Sequence, residues 1–421
     1  MMAEYKESEK KLANFLNSIP FVKKNLKYFY QLINYFFYKK GYFIRSAFKI
    51  QEVSNKASEV FFGYYDKSPE NETGQFLIYQ QSERISKKKP SPNSPVHIIL
   101  KNKRNGNEKI IGESHSYNWQ QGTKLQWIDK NEFIYNFYDH AEDTYKSRIY
   151  DALNSNEISL LDSPIYDCYK KEYALTLNFA RLSKLRPDYG YRNRKIKTDI
   201  NNIEQDGIFY VDIANNTAHL IISLQQLVKI DTRSSMSGAR HKVNHIMISP
   251  DGQRFIFLHR WFINGGKRFD RLLVSDKNGK SIKILVDQDM VSHCCWYDKD
   301  TIIGYFRHNS YGDSFYKIDV HTSNVQLLSE KLLGLGDGHP SVCNDLMVFD
   351  SYPDRSRMKK LFIYYFKDDT LKQIGEFFES LKYFGETRCD LHPKWNFDGS
   401  KIFIDSVHEG KRKLYDIQFS E

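Results

Sequence analysis

A strand–tight turn–strand unit recurs in the C-terminal half of the chain, and this recurrence narrows the possible folds more than any other feature. HIMISPDGQRFIFLHR begins at His245, HCCWYDKDTIIGYFRH at His293, HPSVCNDLMVFDSYPD at His339 and HPKWNFDGSKIFIDSV at His392. Each copy continues into a further β-type run, such as RFDRLLVSD or KKLFIYYFKD. Units of several strands repeated at roughly fifty residues are propeller blades, which bury their faces only by stacking around an axis. The Asp-Gly pairs in SPDG and NFDG supply hairpin turns. The 29 Tyr and 29 Phe suit strands.

Weaker copies extend the pattern towards the N-terminus. GTKLQWIDKNEFIYNF, from Gly122, aligns with the 293 copy through Trp127 and Trp296, and FFGYYDKSPENETGQFLIYQ starts at Phe61. The spacing predicts an all-β, seven-bladed propeller, with six or eight blades as alternatives to a count of seven at about 57–113, 114–163, 164–232, 238–288, 290–333, 336–384 and 386–421. The last copy is short, so a strand from residues 51–62 is expected to complete it and remove the exposed edge. The propeller then spans 51–421, after a basic, aromatic helical extension over 1–50.

Within that extension, residues 21–50 carry Lys23, Lys24, Lys27, Lys39, Lys40, Arg45 and Lys49 and no acid. Tyr28, Leu32, Tyr35 and Phe36 share one helical face, with Gly41 as a stop. Two readings stand: peripheral contact with an anionic membrane, or packing on the propeller with the lysines in water. The net charge of +10 suits a polyanionic partner, here an acidic oligo- or polysaccharide. Nucleic acid is not expected, because the positive residues form no single stripe. The charged N-terminus and the lack of a long apolar run predict a cytoplasmic chain. The five cysteines form neither a disulfide framework nor a CxxC pair.

The four clearest copies each open with a histidine: His245, His293, His339 and His392. The first strand of a blade lines the axis, so equivalent positions in successive blades form a ring. Imidazole is the commonest metal ligand, and such a ring is a candidate site for a divalent ion, Mn, Zn or Ca. The alternative is that the histidines bond to neighbouring blades as shared repeat residues. Arg240 and His241 precede the first copy and Arg388 the last.

LNFARLSKLRPDYGYRNRK, from Leu177, interrupts the third repeat, and blade insertions lie on a rim where ligands bind. Its Arg181 and Arg186 are candidate carboxylate forks, and Tyr189 and Tyr191, with His241, are candidate proton-transfer groups. Tyr64, Tyr65 and Lys67 occupy the analogous place in blade 1 and, with Arg240 and Arg388, complete the candidate substrate contacts.

The SPDG turns and the stretch from Asp405 to Ile417 resemble the TolB-like propellers. The histidines look most like those of oligogalacturonate lyase and related propeller lyases. That resemblance implies a histidine-held divalent metal that acidifies the C5 proton of an acidic sugar, followed by β-elimination. FFGYYDKSP, LRPDYGY and GHPS…DSYPD also resemble propellers of bacterial capsule and lipopolysaccharide gene clusters, often labelled glycosyltransferases, although no nucleotide-sugar motif is present. Two functional classes remain open. One is a metal-assisted lyase or transferase acting on an acidic saccharide. The other is a non-catalytic propeller that binds glycan or scaffolds a membrane-associated biosynthetic complex.

Overall fold

The computed structural model describes residues 20–193, 200–263 and 266–419. They form seven antiparallel blades around an axis, as the repeat predicts. Blades 1 to 6 take four consecutive strands each, within 59–114, 126–161, 167–223, 240–286, 291–327 and 341–378. Blade 7 takes three strands from 394–418 and its outermost strand from Ile50–Glu52, paired to the last strand at Ile50↔Ile417. The N-terminal closure is therefore present, at the near edge of the expected segment.

Burial follows position in the blade. The second strands Tyr173–Leu177 and Leu346–Asp350 are buried at every residue, because both faces pack against neighbouring blades. The outermost strands Glu108–Ser114 and Asn156–Leu161 are largely open to water. Two repeated devices tie blade to blade. The Trp127, Trp296 and Trp395 indoles donate to the backbone oxygens of Pro69, Met247 and Ser341, each in the preceding blade, at 3.0–3.1 Å. Polar side chains on second strands accept backbone N–H groups from the start of the next blade. Gln80 accepts from Thr123 at 2.9 Å, Asn136 from Ile165 at 2.8 Å and Asp350 from Leu391 at 3.1 Å. Asp405 accepts from Phe62 at 3.0 Å, which joins blade 7 to blade 1. At the SPDG turn Gly252 has φ +69°, and a Cβ there would meet the Tyr169 ring.

The N-terminal extension is continuous with the ring. Helix α1 (Pro20–Tyr38) ends before Gly41, and Arg45–Ser46 adds a fifth strand to the outer edge of blade 6. Residues 1–19 lie outside the described residues. The helical face shared by Tyr28, Leu32, Tyr35 and Phe36 is split. Tyr35 meets the Phe378 ring at 6.1 Å and the half-exposed Tyr28 meets the Phe384 ring at 5.9 Å, whereas Leu32 and Phe36 are exposed. The side towards blade 6 is instead built from Tyr30, Gln31, Asn34 and Tyr35.

Each blade's first strand runs away from the face where its histidine starts. The connections between second and third strands therefore return to that face. The insertion in blade 3 is such a connection: Asn178 caps helix α2 (Phe179–Leu185) by accepting the Arg181 N–H, and the chain continues over the axis through Tyr189 and Tyr191. Arg194 and Lys195 of this segment lie outside the described residues.

Candidate functional site

The four histidines converge. Ring centroids are 5.8 Å apart for His245–His293, 3.9 Å for His293–His339 and 4.4 Å for His339–His392. The backbone delivers them by irregularity. His245 and His392 have φ of +53° and +44°, as does the equivalent Lys124 at +54°. Bulges interrupt the strand register between Asn244 and Met247 and between Val291 and Cys294. A β-bulge re-aims a side chain, and the left-handed conformation costs a non-glycine residue about 1–2 kcal/mol. Such strain, held in place by surrounding structure, concentrates at functional sites.

Each imidazole has a different environment. His339 Nδ1 lies 2.8 Å from Asp350 Oδ1, and His293 Nδ1 lies 2.8 Å from Asp337 Oδ1. A carboxylate at one ring nitrogen fixes the tautomer and leaves the other lone pair directed outward, as behind a metal ligand. His339 Nε2 and both ring nitrogens of His392 are buried without a hydrogen-bond partner. His339, His392 and Asp390 place one donor atom each within 4.8 Å of one another. Buried polar atoms are normally satisfied, so this orphaned nitrogen set, with an adjacent carboxylate, fits a divalent cation. His245 differs: its Nδ1 lies 2.7 Å from the Tyr64 hydroxyl.

Electrostatics keep most of these rings neutral. Burial, then the Arg260 charge, holds His245 well below the ordinary imidazole value. Burial, then His339, does the same for His392. Burial also opposes charge on His339, but the Asp350 carboxylate, together with Asp390 and Asp337, makes the net shift upward. Burial favours the neutral form of Asp390, yet Arg388 and Lys359 hold its carboxyl well down, so it is an anion. Near His245, Lys242 is buried and donates to Asn244 at 2.9 Å, and burial followed by Arg260 pushes its ammonium well down. Arg260 and Arg268 pair with buried Asp270 at 2.8 and 2.9 Å.

Aromatic residues cover the ring. Tyr64 touches His245, His339 and His392, and Tyr65 touches His293, His339 and His392. Tyr189 lies 5.6 Å from the His245 ring and receives a hydrogen bond from Arg388 at 3.1 Å. Arg388 also binds Asp188 at 2.6 Å and Asp390 at 2.7 Å, and Arg186 pairs with Asp188 at 2.9 Å. The insertion is thus latched across the histidines by a charged network. Tyr352 lies 6.0 Å from His339 and is 39% exposed.

Other singled-out residues lie elsewhere. Arg181 is buried against Asp206 at 2.6 Å and donates to the backbone oxygens of Ile200, His241 and Asn202, so it anchors the insertion. His241 pairs with His259 at 3.0 Å through one nitrogen and with the Met236 oxygen through the other. Tyr191 stacks on Phe179 at 4.3 Å, and its hydroxyl accepts from Asn136 at 3.0 Å. These three are packed into the protein by partners outside the ring. Lys67 pairs with Asp167 at 2.5 Å in a cavity at the opposite mouth of the channel, and Arg240 is exposed on the rim. The sequence reading overlooked Asp350, Asp188 and Tyr352. Asp350 was findable as the second-strand counterpart of Asn136 and Asp405.

No protein-family model matches the chain, and no curated sequence is similar to it. Solved structures do resemble it. Oligogalacturonate lyase in complex with manganese aligns at a TM-score of 0.62 with 14% identity, over 91% of this chain and 97% of the lyase. Oligogalacturonate lyase from Vibrio parahaemolyticus aligns at 0.60 with 12% identity, over 90% and 96%. At such identity the likeness establishes a shared propeller fold.

Proposed function

From a fold shared with oligogalacturonate lyase and a histidine cluster on its axis, we propose that this propeller acts on an acidic saccharide with the help of a divalent metal. The observation that carries the proposal is the buried set of orphaned imidazole nitrogens on His339 and His392 beside the Asp390 carboxylate. These three residues would hold the ion, with His293 adjacent, and Asp350 and Asp337 orienting the rings. When bound, the ion supplies positive charge against a sugar carboxylate and so acidifies the neighbouring C5 proton.

The remaining steps belong to the chain. Neutral His245, backed by the Tyr64 hydroxyl, is placed to take the proton. In a β-elimination the C5–H electron pair becomes the C4=C5 bond, and the C4–O bond breaks to release an alcohol. The hydroxyls of Tyr189 and Tyr64 are the donors at hand for that leaving oxygen. Arg186 and Arg388 flank the approach and are suited to bind carboxylates of adjacent sugar units once the Asp188 latch yields.

The test is incubation of the manganese-loaded protein with oligouronides while following near-ultraviolet absorbance. An unsaturated product, lost in His245→Ala with metal content retained, supports the proposal. Tight oligouronide binding without turnover would instead favour a binding or scaffolding propeller. Cleavage without an unsaturated product would point to a hydrolase or transferase.

A further inference from the structure

Helix α1 and the segment after it carry an apolar surface that the propeller leaves uncovered. Phe29, Phe36, Phe37 and Phe43 are 60%, 67%, 74% and 63% exposed, with Leu26 and Ile33 alongside at 46% and 44%. Single exposed apolar residues are ordinary, but a contiguous group of this kind marks an interaction surface. No described helix is long and apolar enough to cross a membrane.

We propose that this surface is an interfacial anchor that seats the histidine-bearing face of the propeller on an anionic lipid bilayer. Charge decides between lipid and a second copy of the chain. Residues 21–50 contain seven Lys and Arg and no Asp or Glu. Lys39, Lys40 and Lys49 are exposed, and Lys39 and Arg45 lie over the Phe36 and Phe43 rings at 5.5 and 4.6 Å. Two such surfaces would repel one another, whereas anionic headgroups attract lysines at about 1 kcal/mol each and admit the aromatic side chains beneath them.

The position of the helix sets the orientation. Tyr35 and Tyr42 pack on Phe378 at 6.1 and 5.8 Å, and Tyr28 packs on Phe384 at 5.9 Å. Arg355 donates to the Tyr38 hydroxyl at 3.3 Å from the same connection that places Tyr352 beside His339. The anchor therefore sits on the rim of the histidine mouth and holds that mouth towards the lipid. An acidic glycan presented at a membrane surface would meet the channel without leaving the interface. The anchor itself does not depend on the metal chemistry.

The test is sedimentation of the full chain with phosphatidylcholine–phosphatidylglycerol vesicles, with pure phosphatidylcholine as control. The wild type is expected to bind the mixed vesicles and to be released by salt. Phe36→Glu/Phe37→Glu removes two aromatic anchors at sites 67% and 74% exposed, and binding should weaken about a hundredfold. Lys39→Gln/Lys40→Gln should weaken binding roughly fivefold per lysine on anionic vesicles only. Equal binding to both vesicle types, or no effect of the phenylalanine pair, overturns the proposal. So does a dimer by analytical ultracentrifugation that the phenylalanine pair dissolves while vesicles stay unbound.

Discussion

Replacing Asp350 with Asn tests how blades 6 and 7 are held in register beneath the histidines. The Asp350 carboxylate is 2% exposed. One of its oxygens accepts the His339 N–H at 2.8 Å and lies 2.8 Å from His339 Nδ1. The other accepts the N–H groups of Leu391 at 3.1 Å and His392 at 3.3 Å. Asn has nearly the same shape, so no cavity opens, but one oxygen becomes an NH₂ donor. Turned one way, the amide NH₂ faces the Leu391 and His392 N–H donors; turned the other, it faces only the His339 N–H, because the imidazole can change tautomer and accept at Nδ1. The amide settles with one unsatisfied buried donor, so at about 1–3 kcal/mol for such a group the variant should lose roughly 1–3 kcal/mol. Urea unfolding followed by tryptophan fluorescence reads this as a lower midpoint at unchanged slope. Because the same substitution moves the His339 proton onto Nε2, the nitrogen offered to metal, metal affinity should also fall about 10–100-fold. A stability loss under about 1 kcal/mol, with metal affinity unchanged, would refute the role given to Asp350.

Burial lowers the His408 pKa from 6.5 to about 4, so the folded chain binds fewer protons there than the unfolded chain between those values. Its contribution to stability is intact above pH 6.5 and is lost as pH falls towards 4, by about 3 kcal/mol in total. His408→Leu should flatten the acid limb of a pH–stability curve over that window, and an unaltered limb would exclude His408 as its source. Gly252→Ala places a Cβ at φ +69° and against the Tyr169 ring. It should cost at least about 1–2 kcal/mol in urea unfolding, whereas Gly238→Ala, at φ +64° but in open space, should show only the backbone part.

The blade architecture was legible because repetition is a long-range signal written locally. Strand, turn and strand recur with His at the same offset, and the Asp-Gly turns mark the hairpins. Why the histidines converge was not legible. The left-handed backbone at His245 lies in a bulge and that at His392 just before its strand, and nothing in a His-x-x-apolar frame predicts either. Residue type misled at Arg181, His241 and Tyr191. An Arg in a basic insertion looks available to ligand, but Asp206 and three backbone oxygens surround this one. Asp350 escaped notice for the opposite reason, because a lone acid at a strand end gains meaning only once the next blade is beside it. The helix was half legible: its period was readable, but which residues faced outward depended on the Phe378 and Phe384 contacts.

The most direct test of the central claim is bound metal, measured by elemental mass spectrometry after incubation with Mn, Zn or Ca and removal of free ion. About one equivalent per chain is predicted for the wild type, a single site being formed by His339, Asp390 and His392, and little for His339→Ala/His392→Ala. No retained metal in the folded wild type, or equal retention in the double variant, would contradict the account.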